Sequence, residues 1–199
     1  MTEKQSTPNM GLLQEKYTEN AGTISRFAVG LFNKQLAKFL DQVQGQTVFD
    51  AGCGEGHILK EHLQGRFPHI LGADLDMARL QYAQDSRLFQ GNLHHIPLGD
   101  SAVDLVICLE VLEHVGEPEK ALDELYRVTS KYAILSVPNE PFWRMGNMLR
   151  GKYWSEWGNT PEHINHWSVW SFKRFVGRRF HVIQATPTFL WSFILAEKK

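Results

Sequence analysis

Short apolar runs alternate with helical patterns through the first 140 residues of the chain. Thr47–Ala51 (TVFDA) is β-branched and apolar and meets a glycine cluster, which predicts a buried strand ending in a tight turn. His57–Leu63 follows with Ile58, Leu59, His62 and Leu63 at helical core spacing. Ile70–Ala73 reads as the second strand, Met77–Gln84 as the second helix and Arg87–Gln90 as a short third strand. Ala102–Leu109 (AVDLVICL) is almost continuously apolar, as a strand covered on both faces should be. Pro118–Thr129 predicts an amphipathic helix with Pro118 near its start, where a missing N–H costs nothing. Tyr132–Val137 is a fifth strand, stopped by Pro138, and Ile24–Leu40 is a helix ahead of the first. Strands alternating with helices predict an α/β fold with a parallel sheet and right-handed crossovers.

After residue 140 the rhythm breaks. Pro141–Ile164 is a 24-residue segment rich in Gly, Asn and Trp. Helix Val169–Arg178 and two strands, His181–Thr186 and Phe189–Ala196, follow it. The few residues around Pro187 between those strands predict an antiparallel hairpin.

The 199 residues suit one domain, with 1–44 as a helical cap, 45–140 as a core, 141–170 as an insertion and 171–199 as the last helix and strand pair. A formal charge of -1 argues against whole-surface attraction to nucleic acid or anionic lipid. Cys53 and Cys108 make no disulfide framework and fit a reduced cytoplasm. The polar start reads as no signal peptide, and no apolar run approaches a membrane span. The average hides a division. Residues 1–140 carry 12 Lys/Arg against 19 Asp/Glu, whereas 141–199 carry 9 against 3 and hold all six tryptophans.

Asp50-Ala51-Gly52-Cys53-Gly54-Glu55-Gly56 lies between a strand and a helix. In an open α/β sheet, ligands bind beyond the carboxyl ends of the strands, and glycines there let the backbone approach them. Asp74, 22 residues after Gly52, ends the second strand, where a carboxylate can take both hydroxyls of a ribose. Asp76 is equally placed to cap the next helix, which frees Asp74 for that role. Asn92 follows the third strand and can read an adenine edge; Glu110 ends the fourth on the same rim. GxGxG in place of GxGxxG argues against NAD.

VFDAGCGEG (48–56), GADLD (72–76), GN…IPLGDSAVDLVIC (91–108) and LEVLEHV (109–115) resemble the ordered motifs of class I S-adenosylmethionine-dependent methyltransferases. Within that class the pattern is most similar to the ubiquinone-biosynthesis O-methyltransferase type. The resemblance implies a Rossmann-like, seven-stranded, mostly parallel sheet with helices on both faces and an antiparallel C-terminal hairpin. It implies that Asp50, Gly52 and Gly54 border the methionine part of S-adenosylmethionine, Asp74 and Leu75 the ribose, and Asn92 with Leu93 the adenine. The family usually has Asp where this chain has Asn92.

LEVLEH places Glu110, Glu113 and His114 at i, i+3 and i+4, on one face if a helix starts at Glu110. Two carboxylates and an imidazole could hold Mg²⁺ or Mn²⁺, the imidazole tilting the choice toward Mn²⁺, Fe²⁺ or Zn²⁺. Some relatives hold a metal with this triad, and small-RNA 2′-O-methyltransferases add a late histidine, for which His163 and His166 are the candidates here. The bland readings are a pocket lining for Glu110, a surface position for Glu113 and a packed loop for HINHW (163–167).

Methyl transfer needs alignment of nucleophile, methyl and sulfur, and removal of the acceptor's proton. His114, His163 and His166 are the candidate bases. The resemblance favours an oxygen acceptor on a small molecule, with S-adenosylhomocysteine as the other product. Trp143, Trp154, Trp157 and Trp167 could line a flat apolar acceptor site, Arg144, Arg150 and Lys152 attract an anionic group, and Tyr17 with the first helix close the other side. The alternatives are an RNA 2′-hydroxyl acceptor, which needs a continuous basic groove, and a cofactor-binding module without catalysis.

Overall fold

The computed structural model describes residues 23–140, 163–188 and 190–199. The elements are α1 (Thr23–Leu40), β1 (Thr47–Ala51), β2 (His69–Asp74), α2 (Met77–Ala83), β3 (Leu88–Gln90) and β4 (Val103–Leu109). They continue as α3 (Pro118–Val128), β5 (Thr129–Pro138), α4 (Val169–Val176), β6 (His181–Pro187) and β7 (Trp191–Glu197). Seven strands form one sheet in the order β3-β2-β1-β4-β5-β7-β6. The first five are parallel neighbours, while β7 runs antiparallel to both β5 and β6. The expected mixed sheet with its C-terminal hairpin is borne out.

Alternate side chains of the central strands feed two cores. Val48, Leu105, Ile107, Ile134, Phe193 and Leu195 face α1, where Phe32, Leu36 and Phe39 are wholly buried. Phe49, Val106, Cys108, Ala133, Leu135 and Ile194 face Leu122 and Leu125 of α3 and Phe172 and Val176 of α4. This two-sided burial is why β4 reads as a continuous apolar run. Phe193 sits between Phe32 and Phe39, with ring centroids 4.7 and 6.1 Å away. Its truncation to Ala would cost about 3–5 kcal/mol.

Three local expectations shift. The helix expected at His57–Leu63 widens into a π-helical turn, Leu59–Leu63, closed by the Gln64 N–H on the Leu59 carbonyl at 2.9 Å. β5 begins at Thr129, taking over the last residue of the predicted helix, because Thr129 pairs with Val103 of β4. The helix expected to run to Arg178 ends at Val176. At its start Ser168 and Ser171 form a reciprocal capping box. Among the described residues no helix is long and apolar enough to cross a membrane.

Candidate active site

Beyond the carboxyl end of β1 the chain turns sharply. Gly52 and Gly54 have φ of +85° and +52°, and a side chain on Gly52 would overlap Val111. The Gly52 and Cys53 amides both donate to the Ala73 carbonyl, at 2.7 and 3.0 Å, which folds the turn over the end of β2. There Asp74 accepts from the Gly54 amide through Oδ2 (2.8 Å) and from the Asp76 amide through Oδ1 (2.9 Å). Asp76 caps α2 by accepting from the Ala78 amide at 2.9 Å, as its position predicts. Asp50 lies beneath the turn, 3% exposed, with Oδ2 buried and unpartnered. Burial first, and the Asp74 charge second, push its carboxyl up to about 7.

Further along the rim, Asn92 is exposed, and its Oδ1 accepts from the His94 amide at 2.9 Å. Part of the amide's capacity is thus spent on its own turn. Leu93 leans on the core beneath α3, and Leu75 is 68% exposed beside the turn.

The helix expected to start at Glu110 does not form. Glu110 is left-handed (φ +58°), its N–H donates to the Ser136 carbonyl at 3.1 Å, and only a 3₁₀ turn, Leu112–His114, follows. The Glu110 carboxylate accepts from Ser136 Oγ (2.9 Å) and from Trp191 Nε1 (2.7 Å). Burial nevertheless raises its pKa to about 8. Glu113, expected as a surface residue in the bland reading, is 1% exposed, with Oε2 buried and unpartnered. Burial and the neighbouring Glu110 charge hold its carboxyl well above the usual range.

The strand-like segment 163–167 completes this wall. Ile164 and Asn165 amides donate to the Glu113 carbonyl at 2.9 and 3.0 Å. The Asn165 side-chain amide donates to the Leu112 and Val115 carbonyls at 3.0 and 2.7 Å, stapling the segment to the 3₁₀ turn. His163 is thereby buried against His114, ring centroids 5.0 Å apart. Burial, then the His114 and His166 charges, lower the His163 pKa to about 4, which keeps its imidazole neutral. One ligand atom each from Glu113, His114 and His163 lies within 4.8 Å of the others. Glu110, expected as a fourth member, has both oxygens turned to Ser136 and Trp191 instead.

His166 stands apart from that cluster, its Nδ1 3.7 Å from Glu140 Oε1 at the end of β5. The Glu140 amide donates to the Trp167 carbonyl at 3.0 Å, which fixes the pair. Trp167 packs on Phe172 and Phe175, centroids 5.6 and 5.3 Å away, so its ring serves the core. Cys53 and Cys108 are buried thiols with raised pKa values, consistent with packing roles. Tyr17, Trp143, Arg144, Arg150, Lys152, Trp154 and Trp157 lie outside the described residues. Sequence reasoning missed Ser136, Glu140, Asn165 and Trp191 as shapers of the site. Only Asn165, a turn-prone residue between two histidines, left a local signal.

A family described as "Methyltransferase domain" matches residues 49–137, which run from β1 to β5 and include every motif on the rim up to Glu113 and His114. Over that stretch the chain is similar to S-adenosylmethionine-dependent methyltransferases. It is 29% identical over 135 residues to malonyl-[acyl-carrier protein] O-methyltransferase of Pectobacterium atrosepticum, covering 64% of this chain and 53% of that protein. It is 37% identical over 93 residues to ubiquinone biosynthesis O-methyltransferase of Pseudomonas savastanoi pv. phaseolicola, covering 42% and 40%. The chain thus spans about half the length, or less, of the curated relatives it matches. Magnesium protoporphyrin IX methyltransferase from Synechocystis PCC 6803, solved with bound SAH, superposes with a TM-score of 0.71 at 18% identity, over 93% of this chain and 91% of that one. This likeness shows that the methyltransferase sheet extends through the C-terminal hairpin, beyond the family match.

Proposed function

We propose that this methyltransferase moves a methyl group from S-adenosylmethionine to an oxygen of a small-molecule acceptor, with a divalent metal assisting. The observation that carries this reading is one juxtaposition. The glycine turn with Asp50 and Asp74 and the Glu113–His114–His163 cluster occupy neighbouring strand ends, joined where Val111 covers Gly52.

The residues fit a cationic cofactor. Asp50 is a buried carboxyl with an unpartnered oxygen, and a positive ligand charge would offset its desolvation. Asp74 presents a carboxylate pre-oriented by two amides for ribose hydroxyls, and Leu75 with Leu93 offers apolar surface to the nucleoside. S-adenosylmethionine supplies a methyl already activated by its sulfonium. The chain's task is to align the acceptor oxygen with it and to take the proton that leaves as the new C–O bond forms and the C–S bond breaks.

Glu113, His114 and His163 would hold a divalent ion, with one oxygen and two nitrogen donors favouring Mn²⁺, Fe²⁺ or Zn²⁺ over Mg²⁺. Such an ion would lower the pKa of an acceptor hydroxyl. With His114 and His163 in the cluster, His166 is the base, oriented by Glu140 in the manner of a base steadied by a carboxylate.

Calorimetry with S-adenosylhomocysteine on the full chain tests the first half. Saturation at 100 Kd should stabilise the fold by ~2.7 kcal/mol, or roughly 5–10 °C in Tm. No shift at millimolar ligand overturns the reading. Titration with Mn²⁺ or Zn²⁺ tests the second half: Glu113→Gln, His114→Ala and His163→Ala should each weaken metal binding at least about tenfold. Equal affinity in the wild type and all three variants removes the metal.

A further inference from the structure

A second feature lies on the far side of α4. Phe172, Phe175 and Val176 turn one face of this helix into the core. Trp170, Lys173 and Arg174 share the opposite face at i, i+3 and i+4 spacing. Together with Gly177, Phe180, His181, Val182 and Lys199 they line an open groove of about 540 Å³. Trp170 is 77% exposed at its rim, although an exposed indole of this size gains nothing by facing water.

The lining contains Lys173, Arg174 and Lys199 and no acidic residue, in a chain with 22 Asp/Glu against 21 Lys/Arg. Neighbouring cations are already neutralised: Arg178 meets Glu119 at 3.2 Å, and Arg179 pairs with Asp123. Lys173 and Arg174 meet no carboxylate among the described residues. Glu197 stands opposite His181 in the β6–β7 register. Three cations, Lys173, Arg174 and Lys199, are therefore gathered in one groove with an aromatic ring beside them.

We propose that this groove docks an acidic segment of a partner protein, an apolar side chain seated against Trp170 and flanking carboxylates on Lys173, Arg174 and Lys199. The chemistry is that of an interface anchor: an indole supplies area and three cations supply register. A nucleic acid strand fits less well, because its phosphates would continue onto the acid-bearing face of α3, where Glu117, Glu119 and Asp123 are exposed. Trp170 follows His166 by four residues, so a partner held here lies beside the histidine segment of the active site.

The test titrates the full chain by calorimetry with a synthetic peptide carrying Glu and Asp around one Leu. Poly-L-glutamate, poly(U) RNA and phosphatidylglycerol vesicles are run beside it. The peptide should bind most tightly, and Trp170→Ala and the double variant Lys173→Glu/Arg174→Glu should each weaken it at least about tenfold. Lys34→Glu, on α1, should leave it unchanged. Circular dichroism establishes that each variant is folded; these exposed positions leave both cores intact. Absence of peptide binding, equal losses in Lys34→Glu, tighter binding of poly(U) or vesicles, or self-association through the groove would each overturn the proposal. S-adenosylhomocysteine binding, measured on the same samples, is independent of all these outcomes.

Discussion

The two edges of the sheet treat carboxylates in opposite ways. At the amino edge, Asp104 accepts from the Gln46 and Thr47 amides at 2.8 and 3.2 Å and meets Lys131 Nζ at 2.9 Å. Those partners hold its carboxyl well below the usual range. Nearby, Arg127 spans Glu124 and Asp100 and lowers Glu124 in the same way. At the carboxyl edge Asp50 and Glu113 are buried and Glu110 half-buried, all with raised pKa values and no cation among the causes. The first arrangement stabilises the fold. The second costs stability and holds these carboxyls toward their neutral form until a positive ligand offsets the desolvation, which is the usual signature of a functional site.

Four substitutions break or sharpen this contrast. Asp104→Ala should have the largest effect, because it strips acceptors from two amides, the Thr47 hydroxyl and Lys131. A loss of about 2–4 kcal/mol would lower Tm in a thermal scan by roughly 10 °C, while calorimetric affinity for S-adenosylhomocysteine stays unchanged. Asp74→Asn reverses the pattern. It should weaken S-adenosylhomocysteine about 10–100-fold, as the loss of charge-assisted hydrogen bonds implies, while Tm of the free protein falls by less than in Asp104→Ala, because only one of the two amides on Asp74 loses its acceptor. If both variants lose stability alike, the two edges are not different in kind.

Trp191→Phe keeps an aromatic ring beside Phe32, 5.1 Å away in the wild type, but removes the donor to Glu110 Oε2. About 1–2 kcal/mol of stability should go, read as a lower midpoint in urea. Asp50→Asn gives the smallest change and the clearest sign. An acid raised from 3.8 to about 7 on folding binds its proton more tightly when native. Its contribution is therefore favourable below pH 4 and is lost as pH rises through 7. The free wild-type protein should lose Tm across that window, and the Asn variant should lose less. A steeper decline in the variant would show that Asp50 is stabilised as a carboxylate.

The cofactor edge was legible because its determinants are local. The end of a strand, three positive-φ glycines in the turn after it and an acid at the next strand end occupy 25 consecutive residues, Asp50–Asp74, and each has a compositional reason to be there. The second wall was only partly legible. The i, i+3, i+4 spacing of Glu110, Glu113 and His114 suggested a shared helical face, yet the pairing of Glu110 N–H with Ser136 forces a left-handed residue where that helix would begin. What gathers Glu113, His114 and His163 is Asn165, which reaches back 53 residues to Leu112 and 50 to Val115. Periodicity carries no information at that separation. Trp191 looked like one more aromatic of the C-terminal third, and its position beside Glu110 follows from sheet order, with β7 inserted next to β5.

That insertion has a consequence for the order of events at the ribosome. β7 is made after the six other strands of this sheet, yet it lies inside the sheet and hydrogen-bonds β5 and β6 along its length. Until residues 191–197 emerge, β5 has a bare flank and Phe32 and Phe39 on α1 lack Phe193. Five parallel strands can assemble during elongation, but their apolar edge stays open until β7 has emerged. A translational pause just upstream of Trp191 would prolong that exposure, so this fold depends on the prompt arrival of β7, or on a chaperone covering β5 in the interval.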